Sequence, residues 1–177
     1  MEGENLSCCF TGYRPQKFPF KLLKTEPQYI QFENRLFSKI SELINSGCYT
    51  FYSGMAMGFD IIAAENVLLL RKAMEDRPVR LVCAIPFLDQ AERFPPDWKE
   101  RYDTVLNLAD SAILISDNYY PKCYFDRNRF MVDNSDFVLT WFDGNPGGTK
   151  NTIDYAKTKG RKVINLYTGC EDAGNYI

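Results

Sequence analysis

The sequence contains no histidine in its 177 residues. This absence excludes a Ser-His-Asp or Cys-His catalytic unit and any metal site with a histidine ligand. A general acid or base in this chain must therefore be a carboxylate, a lysine, a tyrosine or a cysteine. No Cys-x-x-Cys pair is present either, and the six cysteines do not follow zinc-site spacing. We predict that the chain binds no metal and no cofactor.

The chain also lacks a long apolar run that would anchor or export it, and its N-terminus, Met1–Asn5, is acidic. The formal net charge is only −2, so nothing attracts the whole molecule to nucleic acid or to an anionic membrane. We therefore predict a cytoplasmic protein that binds no membrane and for which nucleic acid is not the expected partner. Four cysteines lie in or beside apolar strand-like runs, where reduced, buried thiols are expected: Cys8, Cys9, Cys48 and Cys83.

Strand-like and helix-like segments alternate along the whole chain, and 45% of the residues are hydrophobic. This pattern predicts one α/β domain over residues 1–177, Rossmann-like and doubly wound, with a mainly parallel sheet of about six strands covered by helices on both faces. The first helix has a possible capping box at Thr25 and Gln28 and a glycine stop at Gly47. The predicted strands are Leu6–Thr11, Tyr49–Tyr52, Val79–Ile85, Ala112–Ile115, Phe137–Phe142 and Lys162–Leu166. The predicted helices are Pro27–Ser46, Gly58–Met74, one through Trp98 and Ala109, Tyr124–Asn134 and Thr149–Lys159.

Function in such a sheet is expected in the loops that follow the strands, because ligands bind outside the carboxyl ends of parallel strands. After the first strand, Gly12 allows a close backbone approach and Arg14 offers a bidentate donor for a phosphate or carboxylate. An ordinary turn with a solvated arginine explains these two residues equally well.

The loop after the second strand contains Ser53, Gly54 and Gly58 and leads into a helix. Its amides can face an anion, although it matches neither a Walker A motif nor G-x-G-x-x-G. Asp60 and Glu65 follow in the first turns of the helix. They either bond ribose hydroxyls or complement the helix dipole.

The loop after the fifth strand carries the strongest local signal. It contains Asp143, the consecutive glycines Gly147 and Gly148, and the hydroxyls of Thr149 and Thr152. Exposed amides at a helix N-terminus favour a phosphate, and a glycine-rich turn capped by Thr149 is the structural alternative.

Two further segments could contribute to a site at this edge. Arg127 and Asn128 lie on the helix before the fifth strand, where a solvated face is an equally good interpretation. The pair Tyr119-Tyr120 follows the fourth strand and could stack on a base.

Taken in order, these motifs resemble the YpsA-like branch of the SLOG superfamily, which also includes the Lonely Guy (LOG) phosphoribohydrolases and the DNA-processing protein DprA. The resemblance implies a nucleotide-derivative site at the strand ends, with Arg127 at the phosphate or ribose and Gly147, Gly148 and Thr149 around the phosphate. It also implies a homodimer. The motifs that carry it are TGYR at 11–14, SGMAMGFD at 53–60, AAE at 63–65, PF-x-x-Q at 86–90, DRNRFMVDNSD at 126–136 and PGGTKNTIDYA at 146–156.

One departure from LOG enzymes bears on catalysis. Their catalytic glutamate has no glutamate counterpart here, since the alignment places either Asp154 or Thr152 at that position. The remaining candidates for a catalytic carboxylate are Asp154, Glu65 and Asp60.

Three functions follow from these observations. The first is binding or sensing of a nucleotide-like small molecule, such as a nucleoside monophosphate or an ADP-ribose-like compound. The second is hydrolysis of the N-glycosidic bond of a nucleoside 5′-phosphate, which needs a carboxylate near the bond. The third is DprA-like binding of single-stranded DNA by the loop after the first strand, whose basic and aromatic residues are Arg14, Lys17, Phe18, Phe20, Lys21 and Lys24.

Overall fold

A computed structural model describes residues 5–167, and these residues form an α/β fold of Rossmann type. Met1–Glu4, on which part of the N-terminal prediction rests, and Cys170 lie outside the described residues. The strands are β1 (Leu6–Gly12), β2 (Cys48–Ser53), β3 (Arg80–Ile85), β4 (Ser111–Leu114), β5 (Phe137–Trp141) and β6 (Lys162–Asn165). The helices are α1 (Pro27–Asn45), α2 (Phe59–Ala73), α3 (Pro96–Leu108), α4 (Cys123–Asp133) and α5 (Gly148–Thr158), with a short 3₁₀ turn at Pro15–Lys17.

All neighbouring strands pair in parallel, in the order β4-β3-β2-β1-β5-β6. The chain builds outward from β1 to β4, then crosses to the other side of β1 and adds β5 and β6. The strand order therefore reverses between β1 and β5, and this reversal is where doubly wound sheets bind ligands.

The sheet has an apolar layer on each face, as its continuous hydrophobic strands require. Side chains of α1, α2 and α3, such as Leu36, Ile62 and Val105, pack in one core cluster with Phe10 and Phe51 of the sheet. Helices α4 and α5 pack on the other face through the second cluster: Cys9, Ala84, Met131, Val132, Val138, Ile153, Ala156 and Val163.

The local signals had mixed outcomes. Gly47 and Gly160 adopt positive φ angles of 95° and 67° directly after α1 and α5, as expected of helix stops. The predicted capping box at Thr25 is wrong, because Glu26 is the N-cap of α1 and makes no side-chain capping bond. The four strand-associated cysteines are buried and free, as predicted: Cys8, Cys9, Cys48 and Cys83. In residues 5–167, no helix is both long and apolar enough to cross a membrane.

Candidate anion-binding cleft at the strand-order reversal

A cleft of about 230 Å³ opens at the carboxyl ends of β1 and β5, where the strand order reverses. Gly12 and Trp141 pair at the ends of these two strands. Three loops meet there because the strands that they follow end at the same edge. The lining residues are Thr11, Gly12, Tyr13, Arg14, Lys17, Ala56, Asp60, Tyr124, Arg127, Asn128, Gly148 and Thr149.

The loops after β1 and β2 are locked together by a glycine. Gly58 has a φ of 93°, and a Cβ there would collide with the carbonyl oxygen of Tyr13. This contact brings the loops close enough for the Phe59 amide to donate to the Tyr13 carbonyl at 3.0 Å. Gly12 is equally constrained, since its Cβ would lie 2.5 Å from Cβ of Phe59. Both glycines are thus needed for packing beside the cleft.

Arg127 is the centre of a buried hydrogen-bond network in the wall of the cleft. It is only 4% exposed, and one guanidinium nitrogen, Nη1, donates to the Gly54 carbonyl while Nε donates to Asn128 at 2.7 Å. Asn128 in turn donates to the Thr152 hydroxyl at 2.9 Å, and that hydroxyl donates to the Gly148 carbonyl at 2.9 Å. These hydrogen bonds hold the start of α5 at a fixed position relative to the loop after β2.

Asp60 is the carboxylate of this cleft lining, and it is 5% exposed. Burial raises the pKa of Asp60 to about 6, although the charges of Arg127 and Arg14 and the Ala56 amide act in the opposite direction. Burial also lowers the pKa of Arg127, and its coupling to Asp60 opposes that change. Ser53 supports this arrangement from behind, because its hydroxyl donates to the Asp60 carbonyl at 3.0 Å.

Two cations face the cleft without a carboxylate partner. Within the described residues, neither Arg14 nor Lys17 takes part in a salt bridge. The Arg14 guanidinium lies 5.6 Å from the ring centre of Tyr124, and the Lys17 ammonium lies 5.5 Å from that of Tyr13. Lys17 also reaches the loop before α5, since a Cβ on Gly147 would lie 3.1 Å from its nitrogen.

The N-terminus of α5 completes the cleft. Gly147 is the N-cap, with a φ of 149°, and Gly148 and Thr149 are the first helical residues. The first-turn amides of a helix have no intrahelical acceptor, so they are available to an anion. The Thr149 hydroxyl donates to the Gly12 carbonyl at 3.2 Å, and Thr149 is not the N-cap that the structural alternative expected.

The structure does not bring every predicted residue to this cleft. Glu65 forms a two-pronged ion pair with Arg101, at 2.7 and 2.6 Å, between α2 and α3. Asp154 pairs with Lys150 on the exposed face of α5.

Asp143 shapes the loop after β5. It accepts hydrogen bonds from the Tyr13 hydroxyl and from the Asn145 amide, and these bonds lower its pKa although its partial burial opposes them. In residues 5–167, no group of three or more Cys, Asp and Glu side chains is arranged to hold a metal ion.

Two residues of the cleft lining, Lys17 and Tyr124, were not predicted as ligand contacts from the sequence. Lys17 was noted for a basic loop, and Tyr124 carried no signal of its own. Tyr124 lies in the first turn of α4, and it lines both the cleft and a second cavity of about 630 Å³. The second cavity is lined by Arg14, Met57, Phe87, Asp89, Gln90, Glu92, Arg93, Phe94, Asn118, Tyr119 and Tyr124.

Comparison with known proteins agrees with this architecture. A family model described as the YspA SLOG family (YpsA) matches residues 8–168. The SPbeta prophage-derived protein YoqJ of Bacillus subtilis is 29% identical over 144 residues, which cover 74% of this chain and 83% of YoqJ. A UPF0398 protein of Bacillus cereus (strain G9842) is 29% identical over 154 residues, which cover 85% of this chain and 82% of the relative.

A solved structure of similar fold is that of DNA processing protein A from Helicobacter pylori, whose description names a single-stranded DNA binding mode. Its TM-score is 0.64 at 20% identity, over 94% of this chain and 67% of that one. At this identity the likeness establishes a shared fold, and the family match covers nearly the whole described region. The chain belongs to the YpsA family of SLOG proteins.

Proposed function

We propose that the protein binds the phosphate of a nucleotide-derived small molecule in the cleft between β1 and β5. The main support is the charge of the lining. Arg14, Lys17 and Arg127 are opposed by one carboxylate, Asp60, in a chain whose net charge is −2. A local excess of positive charge beside free helix amides favours an anion.

The residues around Arg127 and Gly148 favour ligand binding, and this role does not require a catalytic group. Arg127 is already held by Gly54 and Asn128, so a ligand meets a guanidinium whose orientation is set in advance. Preorganisation of this kind lowers the entropic cost of binding. Gly148 leaves open space, since a Cβ there has no neighbour within 4 Å.

A thermal-unfolding screen tests the proposal. The panel is AMP, GMP, ADP-ribose, NAD, ribose 5-phosphate and cyclic nucleotides. A ligand at ~100 times its dissociation constant stabilises the folded state by about 2.7 kcal/mol, which for a domain of this size raises Tm by roughly 5–10 °C. The shift should be lost in Lys17→Ala and kept in Lys21→Ala, whose side chain lies outside the cleft lining. The proposal fails if no phosphate compound changes Tm.

A second candidate function is cleavage of the N-glycosidic bond of a nucleoside 5′-phosphate. Asp60 favours it, because a buried carboxyl with a pKa of about 6 is suited to proton transfer near neutral pH. Chromatography of AMP, GMP and CMP incubations should then show free base, and Asp60→Asn should abolish it while Asp154→Asn and Glu65→Gln leave it unchanged. Release of base by Asp60→Asn at the wild-type rate would contradict this assignment.

Binding of single-stranded DNA by the loop after β1 has weaker support. Phe18 is 8% exposed and stacks on Trp141 at 4.9 Å, and Phe20 packs against the same ring, so these aromatic side chains face the core. The expected basic-aromatic surface is therefore reduced to its basic residues, one of which, Lys24, pairs with Glu33.

A further inference from the structure

Three aromatic rings form one wall of the second cavity. Phe87, Tyr119 and Tyr124 lie with ring centres 5.4 to 6.4 Å apart, and all three pairs are edge-on. Tyr119 is 62% exposed, so much of its ring remains open to solvent. An exposed tyrosine beside two other rings is the kind of surface on which a planar heterocycle stacks.

The cavity adjoins the anion-binding cleft. Arg14 and Tyr124 line both, so a ligand with its phosphate in the cleft extends past Tyr124 into the larger space. The cleft has a volume of about 230 Å³ and the cavity about 630 Å³, so the larger space is the one beside the aromatic rings.

The balance of charged residues also differs between the lining of the cleft and the lining of the cavity. The cleft lining has three cations against one carboxylate. The cavity lining has two of each: Arg14, Arg93, Asp89 and Glu92. A balanced lining gives no preference for a second phosphate and suits an uncharged ring.

Gln90 adds a directional feature to this cavity. It is 5% exposed, and its amide Nε2 donates to the Gly54 carbonyl at 3.0 Å, which sets the orientation of the amide group. The other end, Oε1, is buried and has no hydrogen-bond donor within the described residues. A buried oxygen without a donor is unfavourable, so a ligand that brings an N–H group to it gains affinity.

We infer that the cavity between Phe87, Tyr119 and Gln90 binds the base of the same ligand, and that this base carries an amino group which donates to Gln90 Oε1. This rests on the proposed phosphate cleft and narrows the ligand to a nucleoside 5′-phosphate with an amino-substituted base. Gln90 and Arg127 both donate to the Gly54 carbonyl, so one backbone oxygen sets the position of both subsites.

Isothermal titration calorimetry on the full chain tests the inference. The probes are AMP, GMP, CMP and ribose 5-phosphate, together with the three analogues that lack the exocyclic amine: purine riboside, inosine and pyrimidin-2-one riboside 5′-monophosphates. The best nucleotide should bind about 10- to 100-fold tighter than ribose 5-phosphate, and about 10-fold tighter than its own analogue.

Tyr119 supplies the matched variants. Its exposure means that Tyr119→Ala should leave the fold intact, which thermal unfolding checks. Tyr119→Ala should weaken the nucleotide about 10-fold without changing ribose 5-phosphate affinity, and Tyr119→Phe should retain binding because the ring remains.

The outcomes separate the two proposals. Equal affinity for ribose 5-phosphate and every nucleotide, unchanged by Tyr119→Ala, would overturn the base subsite and leave the phosphate cleft standing. Equal affinity for a nucleotide and its amine-free analogue would overturn the role of Gln90. Failure of all phosphate probes to bind would overturn the phosphate cleft itself, and the base subsite with it.

Discussion

The guanidinium of Arg127 donates a hydrogen bond to the carbonyl of Gly54, a residue 73 positions earlier in the chain. This bond joins the middle of α4 to the loop after β2. It fixes a buried cation in the wall of the cleft and leaves no room for a side chain on Gly54, whose Cβ would lie 2.6 Å from Cζ of Arg127.

Replacement of Gly54 by alanine should therefore disturb Arg127. We expect Gly54→Ala to lower the free energy of unfolding by about 1–3 kcal/mol, as overpacking does, and to abolish phosphate binding. Gly148→Ala is the control for stability, because its Cβ has no neighbour within 4 Å. It should change stability by less than about 0.5 kcal/mol. Urea unfolding measures both, and equal stability of the two variants would contradict the packing argument.

Lys17 should account for much of the phosphate affinity. A hydrogen bond to a charged group contributes about 1.5–3 kcal/mol, so Lys17→Ala should weaken ribose 5-phosphate binding by roughly 10- to 100-fold. Lys21→Ala removes the same charge from the same loop, outside the cleft, and should have little effect. Titration calorimetry at fixed ionic strength compares them. Equal loss of affinity in both variants would mean that only net charge matters.

The buried carboxyl of Asp60 should make stability depend on pH. Its pKa is about 6 in the folded protein against an ordinary value of 3.8, so the folded state holds the proton more tightly. The free energy of unfolding should then fall as the pH rises from about 4 to about 6, and level off above that. The Asp60→Asn variant lacks this pH dependence. The difference between its free energy of unfolding and that of wild type should therefore increase by on the order of 3 kcal/mol between pH 4 and pH 7.

Urea unfolding at four pH values measures this difference. A constant difference between Asp60→Asn and wild type would mean that Asp60 has an ordinary pKa.

We expect Glu65 to stabilise the packing of α2 against α3 and to make no contact with the ligand. Its ion pair with Arg101 joins α2 to α3, and the Arg101 guanidinium also lies 4.1 Å from the ring centre of Trp98. Both charged side chains are about one-third exposed, so Glu65→Gln should cost no more than about 1 kcal/mol of stability. Ligand affinity should be unchanged in calorimetry, and a clear loss of affinity would return Glu65 to the list of ligand contacts.

Much of the fold could be predicted because its signals are local. Continuous apolar runs such as Leu81–Ile85 marked strands buried on both faces, and the glycine at 47 marked a helix end. The glycines at or after the ends of β1, β2 and β5 indicated the correct edge of the sheet, since parallel strands end on the same side. Capping of α1 was wrong because Pro27 begins the helix and leaves Glu26, not Thr25, in the cap position.

The sequence by itself determined the strands, the helices and the edge at which the loops gather, because periodicity and turn chemistry act within short windows of chain. Only the tertiary structure decided which of three carboxylates faces the cleft. Asp60 lies in it, whereas Glu65, five residues later, turns to Arg101 and Asp154 turns to Lys150. The Glu65 pair depends on how α2 packs against α3, and no local pattern encodes a contact between residues 36 positions apart. Lys150 and Asp154 are an i,i+4 pair on α5, but only the packing of α5 decides that this pair faces away from the cleft.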